Sequence, residues 1–294
     1  MKRVILLLII CLLLSCIGGC ATPQDGGIAA TTLPVYEFTM RLCQGTGIPV
    51  TCLVTENVSC LHDYTLQVSQ MKELESADAI VITGAGLEDF MTDILQNASC
   101  VINASTNVDL IDIGHSHDYN EAHGQEHHHQ EDPHIWLSPD AAMQMSQNIC
   151  DELTVLYPQH KNQFNRNLNG LLCDLQELRQ YGHTQLQNLK FRDLITFHDG
   201  FSYLARDFQL NILEAVEEES GSEASAQELI SLITLVNEHH LPAVFTETYG
   251  STSAARIIAA ETGTAIYTLD MAMSGSSYFE AMYHNINTLK EALG

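Results

Sequence analysis

From Gly27 onward the chain alternates short apolar runs with amphipathic segments, the pattern of strands feeding helices in an α/β sheet. The runs GIAATTLPV, IPVTCLV, ADAIVITGA, CVINAS and VDLIDI predict strands. Between them, helices are predicted around Tyr36–Cys43, Leu66–Leu74 and Leu87–Leu95. A second set follows residue 190: DLITF, LNILEAV, PAVFTE and TAIYTL read as strands, with helices near Ala226–Glu238, Thr252–Glu261 and Phe279–Leu293. Two small α/β lobes follow, over 27–160 and 190–294. Between them Phe164, Leu168, Leu171, Leu172, Leu175, Leu178 and Leu186 keep helical spacing and form one apolar stripe. One long helix is predicted over 161–189, roughly 40 Å at 1.5 Å per residue, enough to back both lobes. Gly170 and Gly182 weaken it locally, by about 1 kcal/mol each relative to alanine. A helical connector is stiff, so large hinge closure is not expected.

The N-terminus changes the picture from cytosolic to exported. Lys2 and Arg3 precede VILLLIICLLL and then small residues, the charged, apolar and cleavage regions of a secretory leader. The apolar run is short for a bilayer span. IGGC, ending at Cys20, resembles a lipobox, with LLSC at Cys16 the weaker candidate. Residues 1–20 then form a signal peptide, and Cys20 becomes a lipid anchor that tethers the chain to a membrane without spanning it. The cysteines beyond it, Cys43, Cys52, Cys60, Cys100, Cys150 and Cys173, form an even set in a disulfide-permissive compartment. No CxxC pair occurs among them, and buried free thiols are the alternative to disulfides.

Charge narrows the partners. Lysine and arginine total 12 against 37 aspartates and glutamates, a formal net charge of −25. Such a chain is repelled by phosphate backbones and anionic surfaces, which excludes nucleic acid as a partner.

The candidate chemistry sits at strand ends. His62 lies in CLHDY past the second strand and His134 in EDPHIW after the fifth. His198, in TFHDGF, ends the first strand of the second lobe, and Asp270, in YTLDMA, ends its last. In open α/β sheets ligands collect outside the carboxyl ends of strands, so these four converge on one interlobe crevice. Three imidazoles and a carboxylate suit zinc, a tetrahedral ion with N and O ligands at about 2.0 to 2.2 Å. The remaining histidines read differently. His115, His117, His123, His127, His128 and His129 belong to a polar segment over 114–131 with no apolar periodicity, which reads as a mobile surface loop. It either captures metal weakly or is a tolerated insertion. His239 and His240 suit a helix C-terminus; His160, His183 and His284 read as isolated and solvated. Glu247 in FTETYG ends a strand near the crevice and reads either as a residue that orients a ligand imidazole or as a contact at a helix N-terminus. Cys60, two residues before His62, reads as structural or disulfide-forming rather than as a ligand.

At these residues the chain resembles the solute-binding lipoproteins of metal-uptake ABC transporters, the zinc, manganese and iron family. ATTLPVYEFT, HDYTLQVSQMKELESADAIVITGAGLEDFM, DPHIWLSPDAAMQMSQNI, FHDGFSYLARDF, FTETYGSTSAARIIAAETG and YTLD occur in the family's order across nearly the whole mature chain. The resemblance implies two α/β lobes joined by a rigid helix, metal at their interface, and ligands at His62, His134, His198 and Asp270. Leu61 stands where the family usually has proline, and DMA from Asp270 where it often has DPL, which makes Asp270 the least secure ligand. Histidine at 198 points to a zinc-type member; manganese and iron members carry glutamate there. The resemblance further implies a monomer outside the cytoplasm that delivers Zn2+ to an ABC permease. A manganese or iron carrier and a metal-dependent adhesin are the alternatives. A zinc hydrolase would need an open coordination position and a general base; Asp270 would fill the position and no HExxH pair is present, so the chain is not expected to be an enzyme.

Overall fold

The computed structural model describes residues 26–58, 61, 64–112, 131–216, 224–275 and 277–294. The leader with Cys16 and Cys20, the histidine-rich segment over 114–130, Cys60 and the predicted ligand His62 lie outside the described residues.

The predicted alternation builds two parallel sheets of four strands. In the first, β1 (Ile28–Ala30), β2 (Val50–Cys52), β3 (Ala79–Ile82) and β4 (Val101–Asn103) lie in the order β2-β1-β3-β4. In the second, β5 (Asp193–Thr196), β6 (Asn211–Ala215), β7 (Ala243–Glu247) and β8 (Ala265–Leu269) repeat that order as β6-β5-β7-β8. Every strand pair is parallel. The central strands β3 and β7 are buried along their whole length, which is why AIVI is wholly apolar and AVFTE opens on three apolar residues.

Helices cover the sheets: α1 (Leu33–Cys43), α2 (Val68–Ser76), α3 (Thr92–Asn97) and α4 (Pro139–Leu156) belong to the first lobe. α5 (Lys161–Leu186) is the connector. α6 (Ser202–Phe208), α7 (Ala226–His239), α8 (Ser253–Thr262) and α9 (Tyr278–Leu293) belong to the second lobe. The connector runs 26 residues and ends at Leu186, short of the expected 189. Its buried side chains are Phe164, Leu168, Leu171, Leu175, Leu178 and Leu186, the predicted stripe without Leu172, which is half-buried. The stripe packs on α4 and α1 of one lobe and α9 of the other. One hydrophobic core runs without a break from Ile28 in β1 through α5 to Leu293 in α9. The lobes therefore share their interior rather than a hinge.

Two sequence expectations change. VDLIDI forms no strand among the described residues; Asp112 makes only an isolated antiparallel bridge to Glu131, and Ile111 accepts a hydrogen bond from the Asp132 N–H at 2.9 Å. These contacts draw together the two ends of the histidine-rich segment, so the apolar residues of VDLIDI serve a loop stem. The second change is the presence of two helices with no counterpart among the predicted elements, α4 and α6; Ser138 caps α4 by accepting from the Ala141 N–H at 3.0 Å. The described cysteines Cys43, Cys52, Cys100, Cys150 and Cys173 are free thiols. Burial pushes Cys43 up to about 12 and Cys52 to about 11, so both stay protonated and unreactive at neutral pH. No helix among the described residues is long and apolar enough to cross a membrane.

Candidate metal centre

The strand ends deliver the site. His198 stands two residues beyond β5, Glu247 is the last residue of β7, and Asp270 follows β8 directly. His134 comes from the first lobe, immediately before a 3-10 turn at Ile135–Leu137 whose three side chains are fully buried. Burial of Ile135 and Trp136 anchors the backbone on which His134 is carried. His134 itself is only 1% exposed.

The two rings meet edge to face, with centroids 5.1 Å apart and planes at 87°. Their Nε2 atoms are 3.3 Å apart. The far side of each ring faces a carboxylate. Asp132 Oδ1 lies 2.8 Å from His134 Nδ1 and also accepts the His134 backbone N–H at 2.9 Å. Glu247 Oε2 lies 4.0 Å from His198 Nδ1. The Asp132 carboxylate at Nδ1 of His134 holds that ring's proton there and leaves its Nε2 as a lone pair. The two Nε2 atoms thus meet at one location, where a neutral pair shares a hydrogen bond and a cation can take its place between them. Two nitrogens at about 2.0 to 2.1 Å from a tetrahedral zinc are themselves about 3.3 to 3.4 Å apart. The ring pair has the spacing of one edge of that tetrahedron.

Asp270 lies in a narrow crevice walled by Glu247, Met271, Met273 and, from the first lobe, Val58. Asp270 is fixed at both ends: its N–H donates to Asn285 Oδ1 and its carbonyl accepts from Asn285 Nδ2, both at 2.7 Å, while its Oδ1 accepts from the Ala272 N–H at 2.7 Å. Of the four residues read from the sequence, the structure brings His134 and His198 into contact; Asp270 lines the crevice with Glu247, whose carboxylate faces His198, and His62 lies outside the described residues, four positions beyond Val58. No group of three or more metal-binding side chains closes among the described residues.

The lobes are held in register around this point. Trp136 Nε1–H donates to the Met271 carbonyl at 2.7 Å, and Tyr278 Oη–H donates to the Trp136 carbonyl at 2.9 Å. The Tyr203 hydroxyl donates to the Asp132 carbonyl and accepts from the Ile111 N–H, both at 2.9 Å. Burial pushes Tyr203 up to about 12, which keeps it a donor.

Residues 28–292 match the sequence profile of the ZnuA family, described as the periplasmic zinc-uptake complex component A. The chain belongs to this family. ZnuA-family members are solute-binding components rather than enzymes. The zinc-binding lipoprotein AdcA of Streptococcus pneumoniae is 28% identical over 277 residues, covering 90% of the chain and 55% of AdcA. The chain thus spans about half the length of the curated AdcA relatives it matches. A crystal structure of ZnuA superposes with a TM-score of 0.79 at 29% identity, covering 92% of the chain and all of that protein. The Zn(II)-bound ZnuA-like domain of Streptococcus pneumoniae AdcA gives a TM-score of 0.76 at 25% identity, covering 92% and 99%.

The sequence reading missed two contributors. Asp132 stands two positions before His134, and its carboxylate beside the ring was legible in the DPH spacing. Gly200 carried no such signal, because its role is space: a Cβ there would stand 2.8 Å from His198 Cδ2 and 3.1 Å from His134 Cγ.

Proposed function

We propose that the chain is an extracytoplasmic zinc-binding protein that captures Zn2+ between its lobes and delivers it to an ABC-type permease. His62, His134, His198 and Asp270 are the ligands, and Cys20 is the lipid anchor. The observation that carries the reading is the pair of Nε2 atoms 3.3 Å apart, each ring backed by a carboxylate on its Nδ1 side. Glu247 Oε2 stands on the Nδ1 side of His198, at 4.0 Å. That favours a nitrogen-rich ligand set, and hence zinc over manganese. Membership of the zinc-uptake family and the Zn(II)-bound relative support the same cargo.

Metal analysis of protein purified without added metal, followed by competitive titration, tests the proposal. One tight zinc is expected, and His134→Ala or His198→Ala should weaken it by roughly a hundredfold or more, since each removes one of few bonds to the ion. Asp270→Ala should cost less where water takes the vacated position. Wild-type affinity in His134→Ala would place the tight site elsewhere.

A further inference from the structure

The buried face of α9 is apolar at Tyr278, Ala281, Met282, Ile286 and Leu289, and it is interrupted by Asn285, which is wholly buried. A buried amide is costly unless both of its ends find partners. Those of Asn285 find them on a single residue: Oδ1 accepts the Asp270 N–H and Nδ2 donates to the Asp270 carbonyl, each at 2.7 Å. Asp270 comes directly after β8, whose pairing with β7 ends at Leu269. The amide thus supplies the acceptor and donor that a further strand would have offered. Only one orientation of the amide satisfies both bonds, because the N–H needs an oxygen and the carbonyl needs an N–H.

The helix that carries Asn285 is itself held by the first lobe. Glu37 of α1 accepts the Tyr278 N–H on Oε2 at 2.7 Å and the Ser277 hydroxyl on Oε1 at 3.3 Å. A carboxylate from one lobe thereby serves the N-terminus of a helix in the other, where negative charge is favoured. Tyr278 and Asn285 stand about two helical turns apart and share one face of α9, so the anchor on the first lobe and the anchor on Asp270 belong to one rigid rod. We infer that Asn285 is a positioning residue for the cation: it holds Asp270 where the carboxylate meets the ion, and Glu37, by capping α9 from the first lobe, fixes the helix from which Asn285 reaches. The inference rests on Asp270 being a ligand, as proposed above.

A buried asparagine also stabilises a fold through its hydrogen bonds alone, and a double-mutant cycle separates the two roles. Competitive zinc titration is run on the full-length protein with Asn285→Ala or Glu37→Ala, each alone and each combined with Asp270→Ala, and urea denaturation records the stability of every variant. Asn285→Ala should weaken zinc by roughly tenfold, within the loss caused by Asp270→Ala, because a withdrawn carboxylate leaves its position to water just as a deleted one does. Glu37→Ala should weaken zinc by less. In the Asp270→Ala background both losses of affinity should vanish while the losses of stability remain. Should Asn285→Ala fail to fold, Glu37→Ala carries the same comparison from a half-buried position. A loss of equal size in both backgrounds, a loss larger than that of Asp270→Ala, or wild-type affinity in a folded single variant overturns the inference. Wild-type affinity in Asp270→Ala would remove Asp270 from the ligands and the inference with it, whereas the imidazole pair is judged separately by His134→Ala.

Discussion

Gly200 leaves room beside the rings of His134 and His198, where only the methyl end of Met271 comes near. Gly200 supplies that clearance, since a methyl group at this position would press on Met271 Cε at 2.5 Å and on both rings. Met271 can yield, being the far end of a flexible side chain; the rings, held by Asp132 and the backbone, cannot move without leaving their partners. Gly200→Ala should therefore lower zinc affinity by roughly tenfold or more while the protein still folds. Competitive zinc titration beside a circular dichroism spectrum checks this, and undiminished affinity would mean that the rings tolerate displacement. The contrast between ligands and supporters explains what was legible at this scale. His134 and His198 announce themselves as imidazoles at strand ends. Gly200 matters through the absence of atoms, and absence has meaning only once three side chains from three segments are brought to one place.

At the scale of elements, the connector helix was readable because seven apolar residues keep one period over its length. Its glycines were readable only as weaknesses, and the structure divides them. Gly170 has nothing within 4 Å of its missing Cβ, whereas at Gly182 a Cβ would stand 2.3 Å from the Phe208 ring. Gly170→Ala should raise unfolding free energy by about 1 kcal/mol, the intrinsic helix gain. Gly182→Ala should lower it, by about 1–3 kcal/mol of overpacking; urea denaturation separates the two signs. A second test concerns the joint between α4 and α6. Ser138, the cap of α4, donates its hydroxyl to Asp207 near the end of α6. Burial raises the pKa of Asp207 against the lowering effect of that bond. A carboxyl whose folded pKa is raised binds its proton more tightly in the folded state, so its ionisation costs stability as pH rises from about 4, the unfolded value, through the folded one. Asp207→Asn should melt higher than wild type at pH 7, and the gain should disappear below about pH 4. A gain that persists in acid would assign the effect to something other than this ionisation. No sequence pattern predicts the contact, because Ser138 and Asp207 lie in different lobes.

At the scale of the whole molecule the question is whether two lobes behave as one body. The sequence spoke for two: two runs of strands, two sets of helices and a connector. What joins them was invisible, since the shared core unites residues from Ile28 to Leu293 and the bridging bonds of Trp136, Tyr203 and Tyr278 pair side chains with distant backbone. The chain has one tryptophan, and Trp136 lies fully buried at the joint. Its fluorescence therefore reports the joint, while far-ultraviolet circular dichroism reports the helices of both lobes. If the lobes shared only a hinge, the joint would open first, and the fluorescence transition in urea would precede the loss of helix. With one core through both lobes, the two transitions should coincide, as in a two-state unfolding. Under the proposed site both lobes contribute ligands, so zinc should stabilise them together: at a hundredfold excess over its Kd, by about 2.7 kcal/mol on both probes. Coincident curves that move together on adding zinc are the expected outcome. A fluorescence transition at lower urea than the circular dichroism transition, or a zinc shift in only one of them, would mean that the joint opens independently of the lobes and would return hinge closure to the account of cation capture.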